Sequence, residues 1–248
     1  MNTIDGLKHA IGIAALPDRG YIYRDAHYLT AVVEIDSDKM QPWLPAGVTL
    51  TGPATADLFC AWFPDCNYGS VYHEAGLLVH IKTGIGPFAT MGVHCPWMIL
   101  DDDAALILGR EVLGYPKKLG AIDWSIEGDA INATATRRGA TLIEMRGALG
   151  DVIDDAPPIL GRPHRNVVGS VLPYLVAFTP GEHVIEVRRA NLDVSVGNSE
   201  RDPLQDMGVG QVIESRLHRV NLSAGSPPVP IRPVLPTFTT SRLNGRIF

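Results

Sequence analysis

The sequence predicts a mainly β protein, a β-rich α+β domain in which antiparallel strands close a barrel or sandwich beside a little helix. Three observations predict it. Short stretches rich in β-branched and apolar residues recur along the chain, and two stretches alternate apolar with polar side chains at the strand period of two. The 25 Gly and 19 Pro are spread along the chain as turn punctuation. No repeat, low-complexity linker or charge block interrupts it, so residues 1–248 read as one domain.

The elements follow in order. Residues 27–35 are apolar and β-branched and read as a strand; Asp36-Ser37-Asp38 then caps a short helix reaching Leu44. Strands are expected at 56–63, 76–83 and 89–100. Asp101-Asp102-Asp103 supplies an N-cap and negative charge for a helix over 104–113, which Gly114 terminates. Pro116 cannot continue that helix, so Lys117 opens a new extended segment. Ile122, Trp124 and Ile126 alternate with polar residues, Gly128-Asp129 turns the chain, and 130–136 returns antiparallel. Further strands are expected at 141–149, 167–178, 183–189 and 211–222, with a second alternation at Leu192, Val194 and Val196. Residues 226–236 are Pro-rich and read as an extended surface run.

A chain of 248 residues buries enough surface for a full core without staples. Cys60, Cys66 and Cys95 form no close pair and leave an odd thiol, so they read as small buried apolar residues and no metal site is expected. A net charge of −6 and the absence of a basic run give no attraction for nucleic acid or an anionic membrane. The N-terminus lacks a secretory pattern and no apolar stretch approaches the roughly 20 residues of a membrane span, which places the protein in the cytoplasm. Neither a Gly-x-Ser-x-Gly elbow nor a phosphate-binding loop occurs; Gly84-Ile85-Gly86-Pro87 lacks the residues that would complete one.

One feature of the basic residues stands out. Of 21, only five are Lys, and two of these, Lys117 and Lys118, are adjacent in a Gly- and Pro-framed apolar segment. An ordinary lysine ammonium, with a pKa of about 10.4, carries no lone pair at neutral pH, so a nucleophilic lysine must be shifted down. A second ammonium ~5 Å away would supply on the order of 3 kcal/mol at an effective dielectric near 20, and burial could supply as much. Neighbours in a strand point to opposite faces, so Lys118 is expected to face away and be at most a secondary contributor. Desolvation by Leu113, Tyr115 and Trp97 is the larger expected cause. On the bare pattern alone, two exposed lysines on a turn after a helix are the favoured reading.

The run Gly109-Arg110-Glu111-Val112-Leu113-Gly114-Tyr115-Pro116-Lys117-Lys118-Leu119-Gly120 resembles the signature of the acetoacetate decarboxylase family, whose first lysine in Tyr-Pro-Lys-Lys forms an imine. Weaker similarity covers residues 28–45, the segment Val71-Tyr72-His73-Glu74, which looks like the family's acidic loop, and 202–214. The resemblance implies cone-shaped antiparallel barrel sheets with flanking helices, a homo-oligomer, and a small keto acid bound as an imine on Lys117 without metal or organic cofactor. It implies Glu74 as general acid/base, with a solvated loop carboxylate as the competing reading. Two positions depart from the decarboxylase pattern. The family's early arginine aligns with Ala26, with Arg24 two residues away and expected on the same strand face, and a second carboxylate aligns with Phe59, with Asp57 two residues away. Phe59 would then wall a more apolar pocket. The resemblance leaves two outcomes open: decarboxylation of an acetoacetate-like β-keto acid, or aldol addition and dehydration between a pyruvate-type donor and an aldehyde. A third is a non-lyase barrel that binds or shapes a hydrophobic keto compound. His73 beside Glu74 reads as a bystander, His94 as a satisfied core histidine, and Arg110 and Glu111 as ion-pair anchors of the helix end.

Overall fold

The computed structural model describes residues 20–84, 86–169, 172–225, 227–235 and 238. The strands are β1 (Tyr21–Ile35), β2 (Val48–Leu50), β3 (Thr55–Phe63), β4 (Asp65–Cys66), β5 (Tyr72–Thr83), β6 (Thr90–Leu100), β7 (Lys117–Leu119), β8 (Ala121–Glu127), β9 (Ala130–Arg137), β10 (Ala140–Val152), β11 (His164–Val168), β12 (Tyr174–Phe178), β13 (Gly181–Val196), β14 (Val209–Ala224) and β15 (Val229–Pro233). They hydrogen-bond as one sheet in the order β15-β12-β11-β6-β5-β3-β1-β14-β13-β10-β9-β8, with β2, β4 and β7 attached beside β5, β1 and β6. The fold is mainly β, as predicted. Pairing is antiparallel except where β7 and β11 lie parallel to β6.

Helix is scarce among the described residues. Asp36 caps α1 (Ser37–Met40) by accepting from the Asp38 and Lys39 amides, and Asp102 caps α2 (Asp103–Ile107) through Ala105 N–H. The helix expected over 104–113 changes form halfway: Leu108–Val112 is a wider π turn, and Gly114, at φ 70°, ends it.

Strand differences from the sequence reading have local causes. β1 starts six residues earlier than expected and β5 four earlier, because His73, Glu74 and the polar residues of 21–26 interrupt the apolar pattern without leaving the sheet. The expected strand over 167–178 is two strands, with Ser170 and Val171 between them outside the described residues. Residues 183–189 and 192–196 belong to a single sixteen-residue strand, β13. Within the Pro-rich run, β15 lies at the edge of the sheet, where prolines forfeit no ladder bond; Ser226 and Pro236 fall outside the described residues.

Both faces of the central strands are buried. Leu29, Ala31, Val33, Leu58, Cys60, Leu77, Trp97 and Ile99 point to one apolar core, while Ala26, Tyr28, Phe59, Ala61, Leu78, Met98 and Leu100 point to another. Two buried faces explain why these strands read as near-continuous apolar runs. Cys60, Cys66 and Cys95 are buried free thiols, and burial pushes Cys60 up to about 12 and Cys66 to about 11. No helix among the described residues is long and apolar enough to cross a membrane.

Candidate active site

The register of β7 on β6 decides which lysine enters which core. Lys117 pairs with Met98 and Lys118 with Ile99, so the two amines leave opposite faces of the sheet. Lys117 joins the core that contains Met98, where the residue is 5% exposed. Its Nζ donates to Glu74 Oε2 at 2.8 Å and to Ala105 O at 3.3 Å. The rings of Tyr72 and Tyr115 stand 5.7 and 5.8 Å from the same nitrogen. Glu74 reaches it from β5, also 5% exposed, and is therefore a buried strand residue; the competing reading of Glu74 as a solvated loop carboxylate does not hold.

Lys117 can lie there because Gly109 gives way to it. A Cβ at Gly109 would come within 2.4 Å of Lys117 Cε and 2.8 Å of Nζ. The π turn carries this bare backbone against the lysine stem, and Leu113 and Tyr115, downstream of the turn, line the same pocket. Tyr23, Tyr28, Phe63, Tyr72, Met98, Leu108 and Leu160 complete most of the wall around a cavity of about 50 Å³. That is room for a few water-sized groups at roughly 10–15 Å³ each. Lys117 and Glu74 are the only charged side chains among the described residues lining it.

Tyr115 is held from behind. The His164 ring is fully buried; its Nε2–H donates to Leu160 O at 3.1 Å, which leaves Nδ1 to accept from the Tyr115 hydroxyl at 3.2 Å. Burial holds His164 far below the usual histidine range, at about 3, so the ring stays neutral. Burial likewise keeps the Tyr28, Tyr72 and Tyr115 hydroxyls well above the ordinary tyrosine range, with the Glu74 charge adding to it, so these groups remain protonated.

Four of the residues named for the site lie away from the pocket, Lys118 as strand alternation predicted and the other three against expectation. Lys118 donates to Asp202 and to Arg201 O at 3.0 Å on the opposite face. Trp97 shares that face and donates Nε1–H to Asp202 at 3.0 Å, because it alternates with the pocket residue Met98 along β6. Arg137 also binds Asp202 at 2.8 Å. Burial alone would raise the Asp202 carboxyl, but Lys118, Trp97 and Arg137 hold it below the usual carboxylate range. Arg24 does not share the face of Ala26: Asp25, at φ 50°, forms a bulge that breaks the alternation, and Arg24 sits exposed in an ion pair with Asp65 at 2.9 Å. Phe59 is fully buried and packs behind the pocket against Tyr28, their rings 5.4 Å apart, instead of lining it.

Asp57 keeps the face of Phe59 but is occupied, bonded to His80 at 2.9 Å and to Arg162. Although burial alone would raise its carboxyl, these partners hold it below the usual range. His73 is paired with Asp101 at 2.9 Å, Arg110 with the adjacent Glu111, and buried His94 bonds Arg165 O at 2.7 Å. The sequence reading missed Tyr23, Tyr28, Tyr72, Gly109, His164 and Asp202. Of these, Tyr72 carried a usable signal, since it precedes Glu74 by two residues and so shares its strand face.

Comparison with known proteins agrees with this fold. The family model for acetoacetate decarboxylase (ADC) matches residues 12–230. Acetoacetate decarboxylase 1 of Mesorhizobium japonicum is 27% identical over 135 residues, 54% of this chain and 53% of that protein. The acetoacetate decarboxylase of Clostridium beijerinckii is 27% identical over 117 residues, 47% of this chain and 46% of that protein. The chain thus spans about half the length of the curated relatives it matches. Among solved structures, an acetoacetate decarboxylase superposes with a TM-score of 0.78 at 18% identity, covering 95% of this chain and all (100%) of that one. An acetoacetate decarboxylase-like enzyme from Sphingomonas wittichii RW1 gives 0.72 at 19% identity, covering 89% and 96%. The enduracididine biosynthesis enzyme MppR, complexed with pyruvate, gives 0.71 at 14% identity, covering 89% and 92%. At these identities the structural matches speak to the fold, and the family model speaks to descent over most of the sequence: the chain belongs to the acetoacetate decarboxylase family.

Proposed function

We propose that the protein is a Schiff-base lyase in which Lys117 condenses with the carbonyl of a small keto acid and Glu74 moves the protons. The observation that carries this reading is the buried 2.8 Å contact between Lys117 Nζ and Glu74 Oε2 in an aromatic pocket. Attack by the neutral amine forms a carbinolamine, and loss of its hydroxyl as water, with a proton from Glu74, leaves an iminium. That cation is the electron sink, so the reaction calls on no metal or organic cofactor. Hydrolysis of the final iminium returns the amine and releases the product. Tyr115 and Leu113 shape the apolar wall of this site; Lys118 fixes β7 from the other face and takes no proton in the cycle.

Two fates of the iminium share this machinery. In decarboxylation, the bond from the β-carboxylate to the adjacent carbon breaks, carbon dioxide leaves and its electron pair forms the enamine, which Glu74, having taken a proton back from solvent water, then protonates. The small cavity supports it: a substrate carboxylate there stands close to the Glu74 carboxylate, and leaving as neutral carbon dioxide removes that repulsion. In the aldol route, Glu74 removes a proton beside the iminium carbon, and the enamine adds to an aldehyde before water is lost. Ala26 and Phe59 support this second route, because they stand buried where the decarboxylase pattern carries charge, and neither Arg24 nor Asp57 is free to replace it. The bound pyruvate in the MppR structure supports a keto acid of this size. Buried free thiols support a reducing cytoplasm as the working compartment.

Borohydride reduction during incubation with acetoacetate or pyruvate should add the corresponding alkyl mass to Lys117, mapped by peptide mass spectrometry, and Lys117→Ala should abolish it. Absence of an adduct with any keto acid would overturn the imine and leave a barrel that only binds keto compounds. Carbon dioxide release from acetoacetate, against an aldol product from pyruvate plus an aldehyde, separates the two fates.

A further inference from the structure

Tyr28 lies in the middle of β1 with no exposed surface, and its hydroxyl finds no hydrogen-bond partner among the described residues. Its ring cannot turn to find one, being wedged between Phe59 at 5.4 Å and Phe63 at 5.5 Å. Yet the residue lines the same pocket as Lys117 and Glu74, and the Glu74 charge acts on its hydroxyl. Tyr115, the neighbouring phenol, already spends its proton on His164. A buried donor left unpaired in an otherwise closed wall is the mark of a site that a ligand oxygen completes.

We propose that Tyr28 is a substrate-binding residue that donates its hydroxyl proton to a carboxylate oxygen of the substrate, so that the pocket takes keto acids in preference to plain ketones. This rests on the imine at Lys117 for the position of the carbonyl carbon. The carbonyl oxygen leaves as water at Lys117, so the oxygens that stay on the bound iminium are those of the carboxylate. No arginine competes for them, since Arg24 is paired with Asp65 outside the pocket and Arg162 with Asp57. Burial keeps the phenol protonated across the neutral range, which makes it a donor in that role.

Tyr28→Phe removes one oxygen and keeps the ring packing. Half-saturating concentrations for borohydride trapping should rise about tenfold for acetoacetate and stay unchanged for acetone, which forms the same imine without a carboxylate. Equal effects on both ligands, or on neither, would overturn the proposal. Ligand-detected NMR of pyruvate binding, without borohydride, keeps the two readings apart. Tenfold weaker binding to Tyr28→Phe with no adduct in either protein supports Tyr28 and overturns the imine; unchanged binding overturns Tyr28. The ligand-free thermal midpoint serves as a third readout: it should hold or rise in Tyr28→Phe, and a fall would show that the hydroxyl has an internal partner and is structural.

Discussion

Glu74 and Lys117 meet across 43 residues of sequence, and each is buried by the strand that carries it. A buried amine with a carboxylate in hydrogen-bond contact is costly unless both are used or both are satisfied, and among the described residues Ala105 O is the lysine's one further acceptor. The pair therefore makes chemical sense as a proton-transfer couple. Glu74→Gln keeps the shape and the contact while removing the base, so steady-state turnover of the active keto acid should fall by roughly 10²–10⁴-fold. The Lys117 adduct should still form, more slowly, in time-resolved borohydride trapping; turnover within a few-fold of wild type would remove Glu74 from the mechanism. Lys118 illustrates the opposite use of the same residue type. Its charge is absorbed by Asp202, which also binds Arg137 and Trp97, and the outcome is a fixed strand.

At the scale of elements, the segment from α2 through the π turn to β7 is the device that presents the lysine. Asp102 caps its start and Gly114 ends it in a left-handed conformation, and both features were legible in the sequence because capping and glycine turns are local. The change from α to π winding was not. It sets Gly109 against the lysine stem, a contact made only once β7 has docked on β6. Gly109→Ala should favour the helix locally by about 1 kcal/mol, yet its Cβ would occupy the space of Lys117 Cε. Trapping at Lys117 should drop at least tenfold while the thermal midpoint stays within a few degrees of wild type. Wild-type trapping in this variant would mean that the lysine does not need that lane. The bulge at Asp25 is a second case: strict alternation predicted that Arg24 shares the face of Ala26, and one residue in a left-handed conformation sends it to solvent.

For the molecule as a whole, the continuous sheet buries two cores, and polar groups trapped inside them set its response to acid. Burial holds His164 at about 3 and His218 at about 4, both below the ordinary value of 6.5. Between those values and pH 6.5 the unfolded chain binds protons that the folded chain refuses, so stability rises with pH over that window. The contribution is fully present above about pH 6.5 and is lost as pH falls towards 4 and then 3. Urea unfolding at a series of pH values should show stability declining from pH 6.5 to 4, with a shallower slope in His164→Gln. A flat profile over that range would contradict the buried, neutral state of both rings.

By itself the sequence determined the strand-rich class, the capped helix and glycine turn ahead of Lys117, and the membership signalled by the Tyr115-Pro116-Lys117-Lys118 run. These rest on interactions between residues close in the chain, or on a motif carried by contiguous residues. Tertiary structure alone decided that Glu74 is a buried strand residue in contact with Lys117, that Tyr28 stands in the same pocket, that Trp97 and Phe59 do not line it, and that Asp202 neutralises the second amine. Those outcomes follow from the register of β7 on β6 and of β5 on β3, and a shift of one residue in either would exchange the two faces and the partners with them.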